Sequence, residues 1–206
     1  MTNEEELELV RKVQAGDTSS FETLVLENQT KVYNLALRTV GNEDDAFDMS
    51  QEAFIKAYNS IGSFRGDSRF SVWLYRLTVN VCLDFLRSEG RRAHGSLTYL
   101  EDEDEKELEI SDERFSPEAM VEKNELRRAV NRGLLQLPPN YRAILLLREI
   151  EGLSYEEIGE ALSLEAGTVK SRIFRARKKL CSILSAEGNI PEAIASKHTK
   201  GGVKHG

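Results

Sequence analysis

The feature that most constrains this chain is a stretch that cannot fold by itself. From Glu101 to Glu118 ten acidic residues stand against two basic ones, Lys106 and Arg114, a local net charge of −8 in a chain whose total is −7. Like charges at that density repel, and the segment carries too little apolar surface to offset the entropy of ordering it. No core can run through it. The sequence therefore divides into two folded units, 1–92 and 119–186, joined by a flexible acidic linker over 93–118, with a disordered tail over 187–206. A length of 206 residues accommodates two small units, each with a modest core. The same segregation shows that the negative total hides a cationic site: Lys170 to Lys179 holds six basic residues and no acidic one.

Both units read as all-α. Hydrophobic residues recur at helical spacing, the chain has only four prolines, and no run alternates as a strand would. Leu7, Val10 and Val13 mark a short first helix that closes at Gly16. Asp17 or Thr18 can cap a second, with Phe21, Leu24, Val25, Val32 and Leu35 facing inward. Asn42 supplies a cap for a third helix, where Glu43, Asp44 and Asp45 complement the positive end of the helix dipole. After the loop Ser63 to Ser68, a long helix from about Phe70 to Ser88 completes a four-helix unit. Pattern resumes at Pro117 with Leu126, Val130 and Leu134, breaks at Pro138 and Pro139, and returns over Tyr141 to Glu149.

The second unit ends in a helix-turn-helix pattern. Ser154 and Glu157 form a capping box, Leu162 to Leu164 a turn, and Ile158, Leu162, Val169, Ile173, Ala176 and Leu180 the inward faces of two helices. The outer face of the last helix carries Thr168, Lys170, Ser171, Arg172, Phe174, Arg175, Lys178 and Lys179. Lys170, Ser171, Arg172 and Arg175 lie where donors reach base edges in a major groove, while Arg177, Lys178 and Lys179 suit phosphates. A basic run alone is more often a solvated helix face. Here it lacks the acidic partners at four-residue spacing that such a face usually interleaves, and the capping box and turn add to the reading of DNA binding.

In the first unit the long helix carries two stripes. Phe70, Leu74, Leu77, Val81 and Phe85 form a core face, and Trp73, Arg76, Asn80, Asp84 and Arg87 line another. Aromatic rings beside Arg and Asn suit unpaired bases, which stack on rings while polar groups probe their edges. The preceding loop, Phe64, Arg65, Gly66, Asp67 and Ser68, combines a glycine for close backbone approach with small polar groups that can surround an extruded base. Trp73 also fits the core, and Asp84 a pair with Arg87, so Asn80 and the loop rank ahead of Trp73 as base contacts.

Several classes are disfavoured. No apolar run approaches the roughly 20 residues of a membrane span, and the acidic N-terminus, Met1 to Glu8, does not resemble a signal peptide, so a cytoplasmic protein without membrane insertion is expected. Cys82 and Cys181, with His94, His198 and His205, have neither disulfide-framework nor zinc spacing, and no cofactor or metal is expected. Asp44, Asp45, Asp48 and Glu52 could be read as a metal-binding carboxylate cluster of an enzyme, but acids at a helix start more often complement its dipole, and no nucleophile accompanies them.

Four segments, in this order, resemble the extracytoplasmic-function class of sigma factors, the sigma-70 family subunits that direct RNA polymerase to promoters. They are Asp48 to Tyr58 (DMSQEAFIKAY), Phe64 to Asn80 (FRGDSRFSVWLYRLTVN), Leu153 to Gly159 (LSYEEIG) and Gly167 to Arg177 (GTVKSRIFRAR), with Gly16, Asp17 and Phe21 ahead of them. The likeness spans nearly all of residues 4–185. It implies that the first unit is sigma region 2 and the second sigma region 4. Asp48, Gln51, Glu52 and Phe54 would then dock on core RNA polymerase. Phe64, Arg65, Gly66, Asp67, Ser68, Trp73, Arg76 and Asn80 would capture a flipped base of single-stranded minus-10 DNA and so nucleate melting, and Thr168, Lys170, Ser171, Arg172, Phe174, Arg175, Lys178 and Lys179 would read duplex minus-35 DNA. It further implies no catalytic residue, and control by an anti-sigma factor. The competing reading is a two-domain helix-turn-helix regulator that is not a polymerase subunit.

Overall fold

Four helix starts are written in side chains that satisfy otherwise free amides. Thr2 Oγ1 accepts from the Glu5 amide, Asp17 Oδ1 from Ser19, Asn42 Oδ1 from Asp45 and Ser154 Oγ from Glu157, at 3.0–3.3 Å. Caps of this kind contribute about 1 kcal/mol each. Thr2 and Ser154 belong to reciprocal capping boxes, in which Glu5 and Glu157 accept from the cap amides at 2.7 Å. The Ser154 box and the Asn42 cap follow the sequence pattern, Asp17 prevails over Thr18, and the Thr2 box is an addition.

The structure is a computed structural model and describes residues 1–95, 117–186 and 188. Eight α-helices occur among these residues: α1 (Asn3–Gln14), α2 (Thr18–Val40), α3 (Glu43–Ser60), α4 (Phe70–Gly95), α5 (Pro117–Leu135), α6 (Pro139–Leu145), α7 (Tyr155–Leu162) and α8 (Ala166–Ala186). A 3-10 turn, Ile61–Ser63, follows α3, and a wider π turn, Leu146–Ile150, extends α6. The described residues contain no strand, as the helical periodicity requires. The linker expectation lies outside the described residues over 96–116, and the tail expectation likewise beyond Ala186 except at Gly188. At its first end the expected linker is helical, since α4 continues through Gly95.

In the first unit α2 packs on α3 and α4 while α1 lies across α2 and touches α4. Phe70, Leu24, Leu74 and Val32 are wholly buried there, each contributing about 1.5–3 kcal/mol through removal of apolar surface from water. Three polar groups that share this interior are satisfied within their own helices: Asn28 Nδ2 donates to the Leu24 carbonyl at 2.9 Å, Thr39 Oγ1 to Leu35 at 2.7 Å and Thr78 Oγ1 to Leu74 at 2.9 Å. Cys82 is buried in the same unit, and both cysteines are free.

The second unit packs α6, α7 and α5 against α8. Its core, built on Ile144, Leu147, Leu153, Ile158, Val169 and Ile173, does not stop at its own boundary. Leu35 of α2 and Val72, Tyr75, Val79 and Leu83 of α4 belong to the same continuous apolar cluster, and α4 lies against α7. The sequence pattern assigned one core face to α4; the structure buries two, one inside each unit's side of the helix. Polar contacts cross the same seam. Arg142 donates to the Thr39 carbonyl as well as to those of Leu134, Leu135 and Leu137, and the Tyr75 hydroxyl faces the Glu151 carboxylate.

Candidate nucleic-acid interface

The loop from Phe64 to Ser68 is set by what surrounds it. Phe64 is buried, with its ring 6.0 Å from that of Phe70 and 5.2 Å from Trp73, while Phe70 and Trp73 lie 5.7 Å apart. These tilted and edge-to-face arrangements suit aromatic quadrupoles. Phe64 was expected among the residues facing DNA; its ring is instead the plug that seats the loop on α4, because the apolar side chain gains more from the interior than from water. Trp73 is half-buried in the same trio, consistent with the core role its spacing allowed. Arg65, Gly66 and Asp67 are exposed at the tip, and Ser68 is half-buried. Gly66 has φ +80°, the left-handed region that a side chain disfavours, so the glycine makes this tight tip possible.

Farther along α4, Asn80 is exposed and Arg76 half-buried on the outer stripe. Asp84 and Arg87 form an ion pair at 2.6 Å, the local pairing that their spacing allowed. Arg76 is engaged across the seam: its guanidinium meets the Glu160 carboxylate at 3.0 Å and the Glu160 carbonyl at 3.4 Å. The second unit thus places an acidic group on one of the expected DNA contacts.

On α3, Asp48 and Gln51 are exposed, and Glu52 and Phe54 half-exposed, Glu52 with Lys56 at 3.6 Å. The expected docking residues therefore share an accessible helix. The same helix also exposes Phe47, Ile55 and Tyr58, which the sequence reading missed. Their signal was available: Phe47, Ile55 and Tyr58 are large apolar or aromatic residues off the buried Ala46, Ala53 and Ala57 stripe. Exposed aromatics of this kind mark protein contact surfaces.

The helix-turn-helix forms as the sequence predicts. Ser163 adopts the left-handed conformation at φ 53°, the Leu164 amide donates to the Gly159 carbonyl at 2.7 Å, and the chain turns into α8. A Cβ at Gly159 would come within 2.7 Å of the Leu164 carbonyl oxygen, so the turn requires glycine at that close approach. Val169, Ile173 and Ala176 face the core. Lys170, Ser171, Phe174, Arg175, Lys178 and Lys179 are exposed on the outer face, with Arg172 and Thr168 half-buried at its edge. Arg177 leaves this set: it pairs with Glu149 at 3.0 Å and braces α8 against the π turn. Behind the pair, Arg148 donates to the Leu153 carbonyl at 2.6 Å and lies 4.9 Å from the Tyr155 ring centre, fixing the approach to α7. A cationic helix face presented by a tight turn can enter a major groove with its N-terminal half foremost.

Comparison with known proteins agrees with this geometry. Residues 24–92 match the family model "Sigma-70 region 2" and residues 127–180 match "Sigma-70, region 4". The RNA polymerase sigma-H factor of Pseudomonas aeruginosa is 43% identical over 87% of this chain and 94% of its own length. The ECF RNA polymerase sigma-E factor of Escherichia coli K12 is 44% identical over 84% and 90%. Among solved structures, CnrH in complex with the cytosolic domain of CnrY aligns at 25% identity and a TM-score of 0.61 over 88% of this chain and 98% of that one. The sigma factor RpoE of Bartonella quintana, solved with the anti-sigma factor NepR, has the same fold, at 23% identity and a TM-score of 0.63 over 82% and 98%. With both matched regions in order, and relatives this similar over nearly their full length, the chain belongs to the extracytoplasmic-function (ECF) RNA polymerase sigma factors.

Proposed function

We propose that this sigma factor divides its work among three surfaces, none of them catalytic. The exposed face of α3, with Asp48, Gln51, Glu52 and Phe54 and the added Phe47, Ile55 and Tyr58, docks on core RNA polymerase; its acids suit a basic partner and its aromatics provide apolar anchors. The loop tip Arg65 to Ser68, seated by Phe64 and Trp73, together with Arg76 and Asn80 of α4, captures unpaired minus-10 bases. The outer face of α8 (Thr168, Lys170, Ser171, Arg172, Phe174, Arg175, Lys178 and Lys179) reads the duplex minus-35 element.

The observation that carries the reading is the presence on one chain of an exposed cationic helix behind a helix-turn-helix and a glycine-tipped loop held on an aromatic trio. Two modes of nucleic-acid contact, one for duplex and one for single strands, serve a factor that must first locate a site and then hold it open. The chain makes no covalent change. It works by binding the strand-separated promoter more tightly than the closed duplex, which lowers the free energy of opening. No helix among the described residues is long and apolar enough to cross a membrane, and a cytoplasmic location follows from the polymerase partnership. The relatives solved with CnrY and NepR support control of this chain too by an anti-sigma factor.

Run-off transcription on genomic fragments with purified core polymerase tests the reading. Initiation at defined start sites only when the chain is added is the expected result. Binding of duplex DNA by the isolated chain, with no gain of initiation, would overturn it in favour of a free-standing regulator.

A further inference from the structure

Helix α1 holds the loop of the proposed minus-10 surface from three directions. Gln14 donates from Nε2 to the carbonyl oxygens of Ile61 at 2.8 Å and Phe64 at 3.0 Å. These two carbonyls bracket the 3-10 turn and lie at the point where the chain enters the loop, so both amide hydrogens of one side chain fix that entry. Leu7, two turns earlier on α1, lies beside Gly66 at the loop tip. Glu6 is buried beside Ser71, in the first turn of α4 where the loop ends. Entry, tip and exit of one loop are thus tied to one short helix, which precedes residues 24–92 of the matched family region.

A loop that captures an extruded base must hold its polar groups and backbone in place before the base arrives, because displacement of a positioned group by about 1 Å can cost as much as 100-fold in rate. We propose that α1 is the buttress of the promoter-melting loop and that Gln14 is its principal positioning residue, acting through the Ile61 and Phe64 carbonyls without touching DNA. The proposal rests on the assignment of the Phe64 to Ser68 loop to base capture. Gln14 itself is exposed, and its two hydrogen bonds sit at a partly wet site. Removing them leaves the apolar core of the unit untouched, so the effect falls on loop geometry rather than on folding.

The test uses the full chain with core polymerase and a promoter on which it initiates, with promoter opening followed by fluorescence of an unstacked base analogue. Gln14→Ala should slow opening about tenfold while core affinity and the thermal midpoint stay within about twofold and a degree or so of wild type. On a template whose minus-10 region is already unpaired, the defect should shrink to about twofold, since the step that needs the poised loop has been bypassed. Gln14→Glu is the second arm. It places an acceptor against two carbonyl acceptors, so it should open promoters more slowly than Gln14→Ala, whereas a side chain that merely fills space predicts the milder effect for the closer match in size. Opening unchanged in both variants, opening and core affinity falling in step, or Gln14→Glu milder than Gln14→Ala would each overturn the positioning role. Failure of the wild-type chain to open any promoter would instead remove the functional assignment on which it rests.

Discussion

The guanidinium of Arg142 donates to the carbonyl oxygen of Thr39, 103 residues earlier in the chain. Thr39 lies near the end of α2 in the first unit and Arg142 in α6 of the second. The same guanidinium also meets the carbonyls of Leu134, Leu135 and Leu137, where α5 runs out of helical partners. One buried cation therefore closes the end of α5 and ties the two units together. Only arginine, with five donors in a planar fork, can serve four carbonyls at once.

Replacing that residue tests the tie. Arg142→Met should destabilise the chain by about 2–4 kcal/mol, because buried carbonyls lose their donors while the volume stays filled. Arg142→Lys, with a single donor centre, should recover less than half of the loss. Urea unfolding followed by circular dichroism measures both, and a midpoint unchanged in Arg142→Met would refute the account.

Glu151 makes the seam sensitive to pH. Burial raises its carboxyl pKa, while Arg38, Lys31 and the Tyr75 hydroxyl act in the opposite direction without cancelling the effect. A carboxyl raised in the folded state favours that state most when protonated, below the ordinary glutamate range, and the contribution is lost as pH rises through the raised value. At neutral pH the half-buried charge is a cost. Glu151→Gln should therefore raise the thermal midpoint by about 2 °C at pH 7 and lose that advantage as pH falls towards about 4. An advantage that grows on acidification would reverse the sign of this argument.

On the proposed minus-10 surface, Glu160 competes with a strand of DNA for the Arg76 guanidinium. The pair is accessible to water, with side-chain exposures of 30% and 63%, so it contributes modestly. Glu160→Ala should tighten binding of short single-stranded DNA to the isolated chain by about two- to fivefold, measured by fluorescence anisotropy. In an Arg76→Ala background the same change should have no effect.

On α8, Arg175→Ala or Arg172→Ala should weaken minus-35-dependent transcription by about 1–3 kcal/mol if the side chain reads a base, with relaxed preference at one promoter position. Unchanged transcription in both would remove them from the interface.

The proposed docking and melting surfaces separate by variant. Asn80→Ala should impair promoter opening by about tenfold with little change in polymerase affinity, and Glu52→Lys should do the reverse. Equal effects of both on polymerase association would show that α3 and α4 have been assigned the wrong roles.

Much of this was legible in one dimension because it depends on neighbours along the chain. The Ser154–Glu157 box, the Asn42 cap, the turn after Leu162 and the cationic outer face of α8 are set by residues three to four positions apart. A helix also reports which of its residues share a side, and so the buried Val169, Ile173 and Ala176 were readable against the exposed Lys170 and Arg175. The burial of Phe64 was not legible, because its position between a turn and polar loop residues has no period to reveal which way its ring points.

The amino-acid sequence by itself determined the all-helical character of the described residues, the helix-turn-helix and the cationic outer face of α8, since these follow from local propensity, spacing and charge. Only the tertiary structure decided that α4 buries a second face, that Arg142 reaches Thr39, that Glu160 occupies Arg76 and that Gln14 holds the loop. Those contacts join residues 47 to 103 positions apart. Neither partner carries a periodic signal for the other, and the pairing exists only once apolar burial has brought the helices together.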